Sequence, residues 1–366
     1  MRIAIVLPGG VDRGGEDRVV PAVLWLIERL ATRHDVHVFA MRQEVAPATW
    51  PLLGAHVHNV GSESGWRRRF FSSFAKTHRE IRFDVVHALW ASAGAYATMA
   101  GARHRIPVVL HLAGGELVSL PDIGYGGMLT SRGRIATRLA CQLSARVTVA
   151  SKPMLALCRA AGVDSDIVPL GVALDRWPPR TPRSRDTRHP ARLLHIADLR
   201  PVKDQATLLA AAARLRHAGV DFQLDLAGFD TTNGEVQRLA SSLGIAELCR
   251  FHGVLRRDAL RSLVDAADLL LVTSRHDAGP LAVLECAVAG VPTVGTAVGH
   301  IAEWAPDAAV SVDIGDAAAL ARETAALLAD ESRRLGLAME AQRRAVSIDA
   351  DYTAAQFERV YAEVRA

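Results

Sequence analysis

The sequence has few cysteines and no apolar stretch of membrane-spanning length. Its four cysteines are widely spaced and form neither a Cys-x-x-Cys pair nor a metal-ligand pattern, which favours reduced thiols in a cytosolic protein. No window holds about 18 uninterrupted apolar residues, so we predict no membrane-spanning helix. The apolar run at 2–7 ends at Pro8-Gly9-Gly10 and is too short for a signal peptide, so we interpret it as a first strand.

Lysine is also scarce, since almost all of the basic residues are arginine and lysine occurs only at positions 76, 152 and 203. The formal net charge is only +4, and so small a basic excess does not indicate nucleic-acid binding. Each of the three lysines is therefore a candidate for a specific role. A chain of 366 residues is expected to form two domains rather than one.

Short apolar runs alternate with amphipathic stretches, which predicts parallel, doubly wound α/β sheets. In the first half we predict strands at 2–7, 36–40, 56–58, 84–89, 107–112 and 146–150, and helices at 17–33, 66–82, 96–105, 134–143 and 153–161. In the second half we predict strands at 193–197, 222–227, 249–252, 268–273, 292–295 and 309–312, and helices at 204–217, 234–243, 256–266, 281–289, 316–329, 331–345 and 352–365.

A segment rich in proline and arginine separates the two halves. We therefore predict four parts: a Rossmann-like domain at 1–173, a linker at 174–192, a second Rossmann-like domain at 193–348 and a C-terminal helix at 349–366 that packs back on the first domain. The two domains are expected to face each other across a cleft, where ligands commonly bind.

The loop Arg275–Pro280 is the strongest candidate for chemistry. It follows the predicted buried strand at 268–273 and precedes the predicted helix at 281–289, where Pro280 suits the first turn. Unpaired N–H groups and the positive end of the helix dipole favour a phosphate at this position. Two carboxylates, Asp277 and Glu285, bracket it eight residues apart.

The order of several motifs carries a resemblance. The chain has GGVDRGGEDR at 9–18, IVPLGVALDRW at 167–177, IADLRPVKDQATLL at 196–209, FHGV at 251–254, the 277–285 stretch and VGHIAE at 298–303. Together they resemble the family-4 retaining glycosyltransferases of the GT-B fold, from about residue 1 to 360 and most specifically over 196–303. The resemblance implies an acceptor side in the first domain and a nucleotide-sugar donor side in the second.

The resemblance also implies roles for charged side chains. Asp277 and Glu285 occupy the family's Glu-x7-Glu positions, so Glu285 is expected to bind ribose hydroxyls and Asp277, one methylene shorter, to lie beside the donor sugar. The family's Arg-x4-Lys pair falls on Asp198 and Lys203. Lys203 is expected to stabilise the leaving diphosphate, and Arg200 to supply the second positive charge.

Further site residues follow from their positions. The backbone amides of Gly279, Leu281 and Ala282 are expected to cradle phosphate and sugar hydroxyls, and Val254 to hold the edge of the base. Gly15 precedes a helix and is expected to meet the acceptor or the diphosphate. His111, at a strand end, matches a family histidine that contacts the donor sugar, although a structural role is an equal alternative.

The predicted function is transfer of a sugar from a UDP- or GDP-sugar to a hydroxyl of a glycan, lipid-linked or small-molecule acceptor, with retention. We expect a hexosyltransferase-type enzyme (EC 2.4) in cell-surface polysaccharide or glycolipid biosynthesis, without a cofactor or a metal ion. The alternatives are a diverged GT-B protein that binds its ligand without turnover, and a sugar-nucleotide epimerase.

The predicted helix at 66–82 begins with the mixed basic and aromatic run Trp66–Phe71. Such a run is suited to peripheral contact with an anionic membrane near a lipid-linked acceptor. The alternative is a solvated basic helix with a buried aromatic edge. We expect a cytoplasmic protein that does not bind nucleic acid.

Overall fold

The fold is described from a computed structural model that covers residues 1–16 and 18–365. Two residues lie outside the described part of the chain. They are Asp17, the first residue of the predicted first helix, and Ala366, the last residue of the predicted C-terminal segment. The chain forms two compact units. The first combines Met1–Gly171 with the segment from Ile348 onwards, and the second is Val172–Ser347.

The first unit contains an eight-stranded sheet in the order β3-β4-β2-β1-β5-β6-β7-β8, parallel except for β3. Its strands are β1 (Arg2–Leu7), β2 (Asp35–Ala40), β3 (Ala48–Leu52), β4 (Ala55–Asn59), β5 (Val85–Leu89), β6 (Val108–Leu112), β7 (Arg146–Val149) and β8 (Asp166–Ile167). The helices between them are α1 (Pro21–Ala31), α2 (Trp66–Ile81), α3 (Ala91–His104), α4 (Ser131–Leu143) and α5 (Lys152–Ala160).

Strand β3 and helix α1 are among the elements of this unit that differ from the sequence prediction. Strand β3 was not predicted because it contains Pro51, which cannot donate to a ladder and is tolerated here on the sheet edge. Helix α1 begins at Pro21 rather than at residue 17, since Val20 is extended and proline suits the first helical position. The preceding loop is held by Gln43, whose Oε1 accepts hydrogen bonds from the amides of Gly10 (2.6 Å) and Val11 (3.0 Å).

The second unit contains a six-stranded parallel sheet in the order β11-β10-β9-β12-β13-β14. Its strands are β9 (Ala191–Ile196), β10 (Phe222–Ala227), β11 (Cys249–Gly253), β12 (Leu269–Val272), β13 (Thr293–Thr296) and β14 (Val310–Val312). Its helices are α6 (Gln205–His217), α7 (Glu235–Ser242), α8 (Arg257–Ala266), α9 (Leu281–Val288), α10 (Gly299–Trp304), α11 (Ala317–Ala329) and α12 (Glu331–Ser347). The strand order reverses between β9 and β12, and ligands of such sheets bind at the carboxyl ends beside this switch point.

The segment predicted to be a linker belongs to the second unit and is packed against it. Trp177 is 1% exposed. Its indole Nε1 donates to the backbone oxygen of Glu285 at 2.8 Å, and the amide of Arg180 donates to the backbone oxygen of Val288 at 3.1 Å. These contacts place the segment beneath α9, so residues 174–192 support that helix rather than forming an independent linker.

The last helix, α13 (Ala350–Arg365), packs on the first unit. The side chains of Phe357 and Tyr361 have no exposure, and the hydroxyl of Tyr361 lies 2.6 Å from Nδ1 of His87 in β5. Both sheets are doubly wound, so the predicted α/β fold class is confirmed. Among the described residues, no helix has the length and apolar character needed to span a membrane.

Candidate active site

Two loops meet at the switch point of the second sheet. One follows β9 and ends in the single helical turn Pro201–Lys203, and the other follows β12. The hydroxyl of Thr273 donates to the backbone oxygen of Lys203 at 2.9 Å, and the amide of Arg275 donates to the backbone oxygen of Val202 at 2.8 Å. These bonds fix the two loops to each other, so side chains predicted from distant parts of the sequence lie together.

Lys203 and Asp277 form an ion pair in this structure. The Lys203 Nζ lies 2.5 Å from Asp277 Oδ2, and the two side chains are 24% and 14% exposed. Asp277 was predicted to lie beside the donor sugar and Lys203 beside the diphosphate. The two side chains therefore neutralise each other beside the loop that was predicted to bind a phosphate.

Glu285 lies in the second turn of α9, and the residue is only 6% exposed. Burial raises the pKa of its carboxyl group to about 8. Within the part of the chain that the structure describes, no cationic side chain lies within ion-pairing distance of this carboxylate. A buried acid with a raised pKa is typical of a functional site, and the hydroxyl groups of a ligand would supply the hydrogen-bond donors that this carboxylate needs.

The amino end of α9 faces the same loops. Pro280 is the N-cap rather than the first helical residue, so Leu281 and Ala282 are the first two residues of the helix. The N–H groups of these first helical residues have no acceptor within the helix, so they are suited to binding an anion. Gly279, in the loop before the cap, is partly exposed.

Gly299 supports this loop and was not predicted to do so. Its φ is +46°, and a Cβ atom there would lie 2.6 Å from Pro280 Cδ and 3.1 Å from the backbone oxygen of Asp277. Glycine is therefore required at the first residue of α10 for this helix to pack against the loop. The sequence signal is the glycine that follows the predicted strand at 292–295.

The loop after β9 is held by the buried side-chain amide of Gln205, which was not predicted from the sequence. Gln205 is 3% exposed, and its Nε2 donates to the backbone oxygen of Asp198 at 3.0 Å and to His195 Nε2 at 3.2 Å. The Nδ1 of His195 in turn donates to the backbone oxygen of Leu271 at 2.9 Å. Burial lowers the pKa of His195 to about 4, so a neutral imidazole links the loop to β12.

Asp198 and Arg200 have different environments in this loop. Asp198, which stands where the family has an arginine, accepts a hydrogen bond from the amide of Phe229 at 3.1 Å, so it orders the neighbouring loop. Arg200 is exposed, and its amide donates to Gln205 Oε1 at 3.3 Å. The role of Arg200 as the second cation stays a prediction.

His300 is a further buried polar group near this site. It is 2% exposed, and neither ring nitrogen has a hydrogen-bond partner among the described residues. Burial lowers the pKa of His300, whereas the charges of Glu303 and Asp277 oppose that shift. The Nδ1 of His300 lies 4.0 Å from the carboxylate of Glu303. An unpaired buried imidazole next to the loop is a candidate ligand contact that sequence reasoning missed.

Val254 and Phe229 follow the carboxyl ends of β11 and β10. They are 67% and 59% exposed, and the amide of Gly228 donates to the backbone oxygen of Gly253 at 2.9 Å. The predicted contact of Val254 with a base, through backbone groups, stays a prediction.

The first unit places its two candidates in different environments. Gly15 lies in the loop after β1, at the switch point between β1 and β5, with a φ of +67° that glycine adopts readily. His111 has no exposure, its Nδ1 lies 2.9 Å from the Thr148 hydroxyl, and its ring contacts Phe357. Contrary to the prediction that it contacts a donor sugar, His111 is a core residue in this structure.

Helix α2 fits the interpretation as a solvated basic helix with a buried aromatic edge. Phe70 and Phe74 have no exposure, whereas Arg67 and Arg68 are exposed. The centroid of the Trp66 ring lies 5.1 Å from that of Tyr96 and 4.9 Å from the guanidinium carbon of Arg67. The aromatic edge is therefore turned into the unit, as expected for a solvated basic helix, and membrane contact stays a prediction.

Comparisons with known proteins agree with this architecture. Residues 19–173 match the glycosyl transferase 4-like domain, and residues 183–344 match the glycosyl transferases group 1. A D-inositol 3-phosphate glycosyltransferase from Geodermatophilus obscurus is 27% identical over 98% of this chain and 89% of its own.

Solved structures share the fold at low sequence identity. Sucrose-phosphate synthase from Thermosynechococcus elongatus has a TM-score of 0.83 at 16% identity, over 100% of this chain and 99% of that one. Anabaena Alr3699/HepE in complex with UDP-glucose has a TM-score of 0.76 at 18% identity, over 99% and 100%. The chain is thus an enzyme with the GT-B fold, of hexosyltransferase type, and it belongs to the group 1 glycosyltransferases.

Proposed function

We propose that this glycosyltransferase uses a UDP- or GDP-sugar and transfers the sugar to a hydroxyl group with retention of the anomeric configuration. The observation that carries the proposal is the arrangement around the amino end of α9. The Lys203–Asp277 ion pair and the buried carboxylate of Glu285 lie there together, beside the switch point of the second sheet.

Glu285 is the proposed ribose ligand. A carboxylate accepts hydrogen bonds from two vicinal hydroxyls, and such a contact is selective where the acid is shielded from water. Ribose hydroxyls would favour the ionised acid and offset the burial that raises its pKa to about 8.

Lys203 is the proposed diphosphate ligand, with Arg200 and the amides of Gly279, Leu281 and Ala282 as further donors. A diphosphate would compete with Asp277 for the ammonium group, since both are anions. Asp277 would then be released toward the donor sugar. Negative charge grows on the diphosphate as the bond to the sugar breaks, so Lys203 stabilises the transition state more than the ground state.

Retention requires the acceptor to approach the face from which the diphosphate leaves. The bond from the anomeric carbon to the phosphate oxygen breaks, and a bond to the acceptor oxygen forms. The acceptor proton passes to the released phosphate oxygen, so no protein side chain is needed as a general base. We propose that the reaction needs no metal ion, and activity that survives dialysis against EDTA would support this.

The family matches support a glycosyltransferase over the two alternatives left open by the sequence. A binder without turnover and a sugar-nucleotide epimerase both share the fold expected here, but the chain belongs to a family of glycosyltransferases. The departures at Asp198 and Asp277 have local explanations, since one orders the neighbouring loop and the other pairs with Lys203.

The proposed acceptor is a hydroxyl of a glycan, a lipid-linked sugar or a small molecule, in a cytoplasmic pathway to cell-surface polysaccharide or glycolipid. Relatives named for D-inositol 3-phosphate support testing phosphorylated polyols as well. Peripheral contact of α2 with an anionic membrane stays part of this proposal. Loss of vesicle binding after Arg67 and Arg68 are replaced by Ser would support such contact.

The function is tested in two steps. Thermal shifts with a panel of UDP- and GDP-sugars identify the donor, because a ligand that binds only the folded protein raises its melting temperature. Transfer is then followed by NMR, which reports the anomeric configuration of the product. An inverted product, or near wild-type turnover in Lys203→Ala and Glu285→Ala, would contradict the proposal.

A further inference from the structure

Three potential metal ligands lie together at the amino ends of two neighbouring strands in the first unit. Asp35 begins β2, and His37 pairs directly with His56 of the parallel strand β4. One ligand atom from each of the three lies within 4.8 Å of the others. Substrates are expected at the carboxyl ends of the strands, where the following loops begin. The cluster lies at the amino ends and is therefore separate from that region.

The imidazole of His37 is already oriented for a ligand role. Its Nε2 lies 3.1 Å from Asp35 Oδ1, and its Nδ1 lies 2.9 Å from His58 Nε2. The His37 and His58 rings are nearly parallel, with centroids 5.2 Å apart and planes 12° apart. Histidines that bind metals usually donate their second ring N–H to a neighbouring acceptor, which fixes the ring and its tautomer. In this structure His37 Nε2–H donates to Asp35 Oδ1. A metal ion on Nε2 would replace that proton, with His58 Nε2 accepting from His37 Nδ1.

The charges suit a cation. Asp35 supplies a carboxylate, and a metal-bound imidazole is neutral, so the ion would take the place of a proton on His37 Nε2.

We propose that Asp35, His37 and His56 bind one zinc-type divalent ion, with water as the fourth ligand. Two imidazoles and a carboxylate suit zinc and the neighbouring transition metals, whereas Mg²⁺ prefers oxygen ligands. Tetrahedral zinc with bonds of about 2.0–2.1 Å brings ligand atoms to roughly 3.3 Å from one another. Asp35 and His56 are exposed and can turn inward, while His37 is 9% exposed and stays fixed.

The proposed role of the ion is structural. It would join β2 to β4, and β4 carries the proline-containing edge strand β3 on its other side. A bond between neighbouring strands at this edge would stabilise the part of the sheet with the fewest partners. Sugar transfer would not need the ion, so a failure of this proposal leaves the proposed function intact.

The test is isothermal titration of the EDTA-treated, dialysed full chain with ZnCl₂, repeated with MgCl₂. We expect one zinc ion per chain, no saturable magnesium binding, and at least tenfold weaker zinc binding in His56→Asn. Asp35→Asn should weaken binding as well. His56 is exposed, so its replacement should leave the fold intact. His217→Asn is the matched control, because His217 is an exposed histidine at the end of α6 in the second unit.

Two further measurements identify the site. Zinc should raise the melting temperature of the wild type and of His217→Asn, but not that of His56→Asn. Co²⁺ in place of zinc should give the visible absorption of a tetrahedral complex in the wild type, and this band should be lost in His56→Asn. Zinc binding by His56→Asn that equals the wild type, equal loss in His217→Asn, or no saturable binding by the wild type would overturn the proposal.

Discussion

At the scale of single residues, Glu285 shows the conflict between stability and function most clearly. It is an acid with 6% exposure whose pKa burial raises to about 8. Its ordinary pKa is 4.5, so between these two values the folded protein binds a proton that the unfolded chain has released. The free energy of unfolding contributed by Glu285 therefore falls as pH rises through this window, and the loss is complete above about pH 8.

Glu285→Gln should remove this penalty. Glutamine carries no charge at any pH, so we expect the variant to melt several degrees above the wild type at pH 9 and much closer to it at pH 5. Scanning calorimetry across this pH range measures the difference. A gap in melting temperature that does not change with pH would contradict the assigned titration.

The same group predicts how nucleotide binding depends on pH. If ribose hydroxyls bind the ionised carboxylate, each binding event releases a proton below about pH 8. The affinity for UDP should therefore increase by roughly threefold to tenfold between pH 7 and pH 8.5. Titration calorimetry in buffers with different ionisation enthalpies counts the protons. Glu285→Gln is the control and should bind weakly, with no change over this range.

Asp277 and Lys203 should respond differently to truncation, although they form one ion pair. Lys203→Ala removes the cation from the leaving group, and we expect transfer to fall by about 10²–10³ with weaker UDP binding. Asp277→Ala removes an anion that competes with the diphosphate, so UDP binding should be equal or tighter while transfer still falls. Weaker UDP binding in Asp277→Ala would show that the pair must stay intact for the donor to bind.

At the scale of elements, the sequence predicted most strands and helices because their apolar periodicity is undisturbed. Strand β3 was missed because Pro51 interrupts it, and α1 was started too early because the loop before Pro21 is polar enough to continue a helical pattern. The site residues divide in the same way, into those that a sequence motif indicates and those whose role depends on the tertiary structure. Charged residues such as Lys203 and Glu285 could be proposed from a family motif. Gln205 and His300 were not, since a buried polar role depends on tertiary neighbours.

The loop before α9 depends on the short helix α10, which was not predicted. Gly299→Ala should displace the loop because the added Cβ meets Pro280 at 2.6 Å. Gly315 offers a matched control, since its φ is also positive, at +82°, but a Cβ there meets nothing within 4 Å. Both variants should lose about 1 kcal/mol from the backbone conformation, whereas only Gly299→Ala should lose further stability and bind UDP several-fold more weakly. Thermal melts and titrations separate these effects, and equal UDP affinity in the two variants would contradict the supporting role of Gly299.

At the scale of the whole molecule, the return of α13 to the first unit explains why His111 is a core residue. Tyr361 covers His87, and Phe357 contacts the rings of both His87 and His111. A histidine at the end of a strand resembles a catalytic residue until the covering helix is known. The pairing of α13 with β5 and β6 spans more than two hundred residues, and no local pattern in the sequence reveals it.

Tyr361→Phe should test this buried contact. It removes the hydroxyl that lies 2.6 Å from His87 Nδ1 and leaves that nitrogen without a partner, so we expect a loss of about 1–3 kcal/mol in stability. UDP binding should not change, because the nucleotide ligands proposed here belong to the second unit. Urea denaturation and UDP titration measure the two effects, and an unchanged unfolding midpoint would mean that the contact contributes little.

The second unit is one uninterrupted stretch of sequence, Val172–Ser347, and the first unit is not. In practical terms the half that is proposed to bind the nucleotide can be cut out as a single fragment that includes Trp177, Lys203 and Glu285. The other half cannot be cut out in this way, because a fragment that stops at Gly171 lacks the helix that covers His87 and His111. A gene fragment for residues 172–347 should therefore yield a folded UDP-binding module without transferase activity, whereas one for residues 1–171 should yield an aggregating product unless α13 is fused back to it.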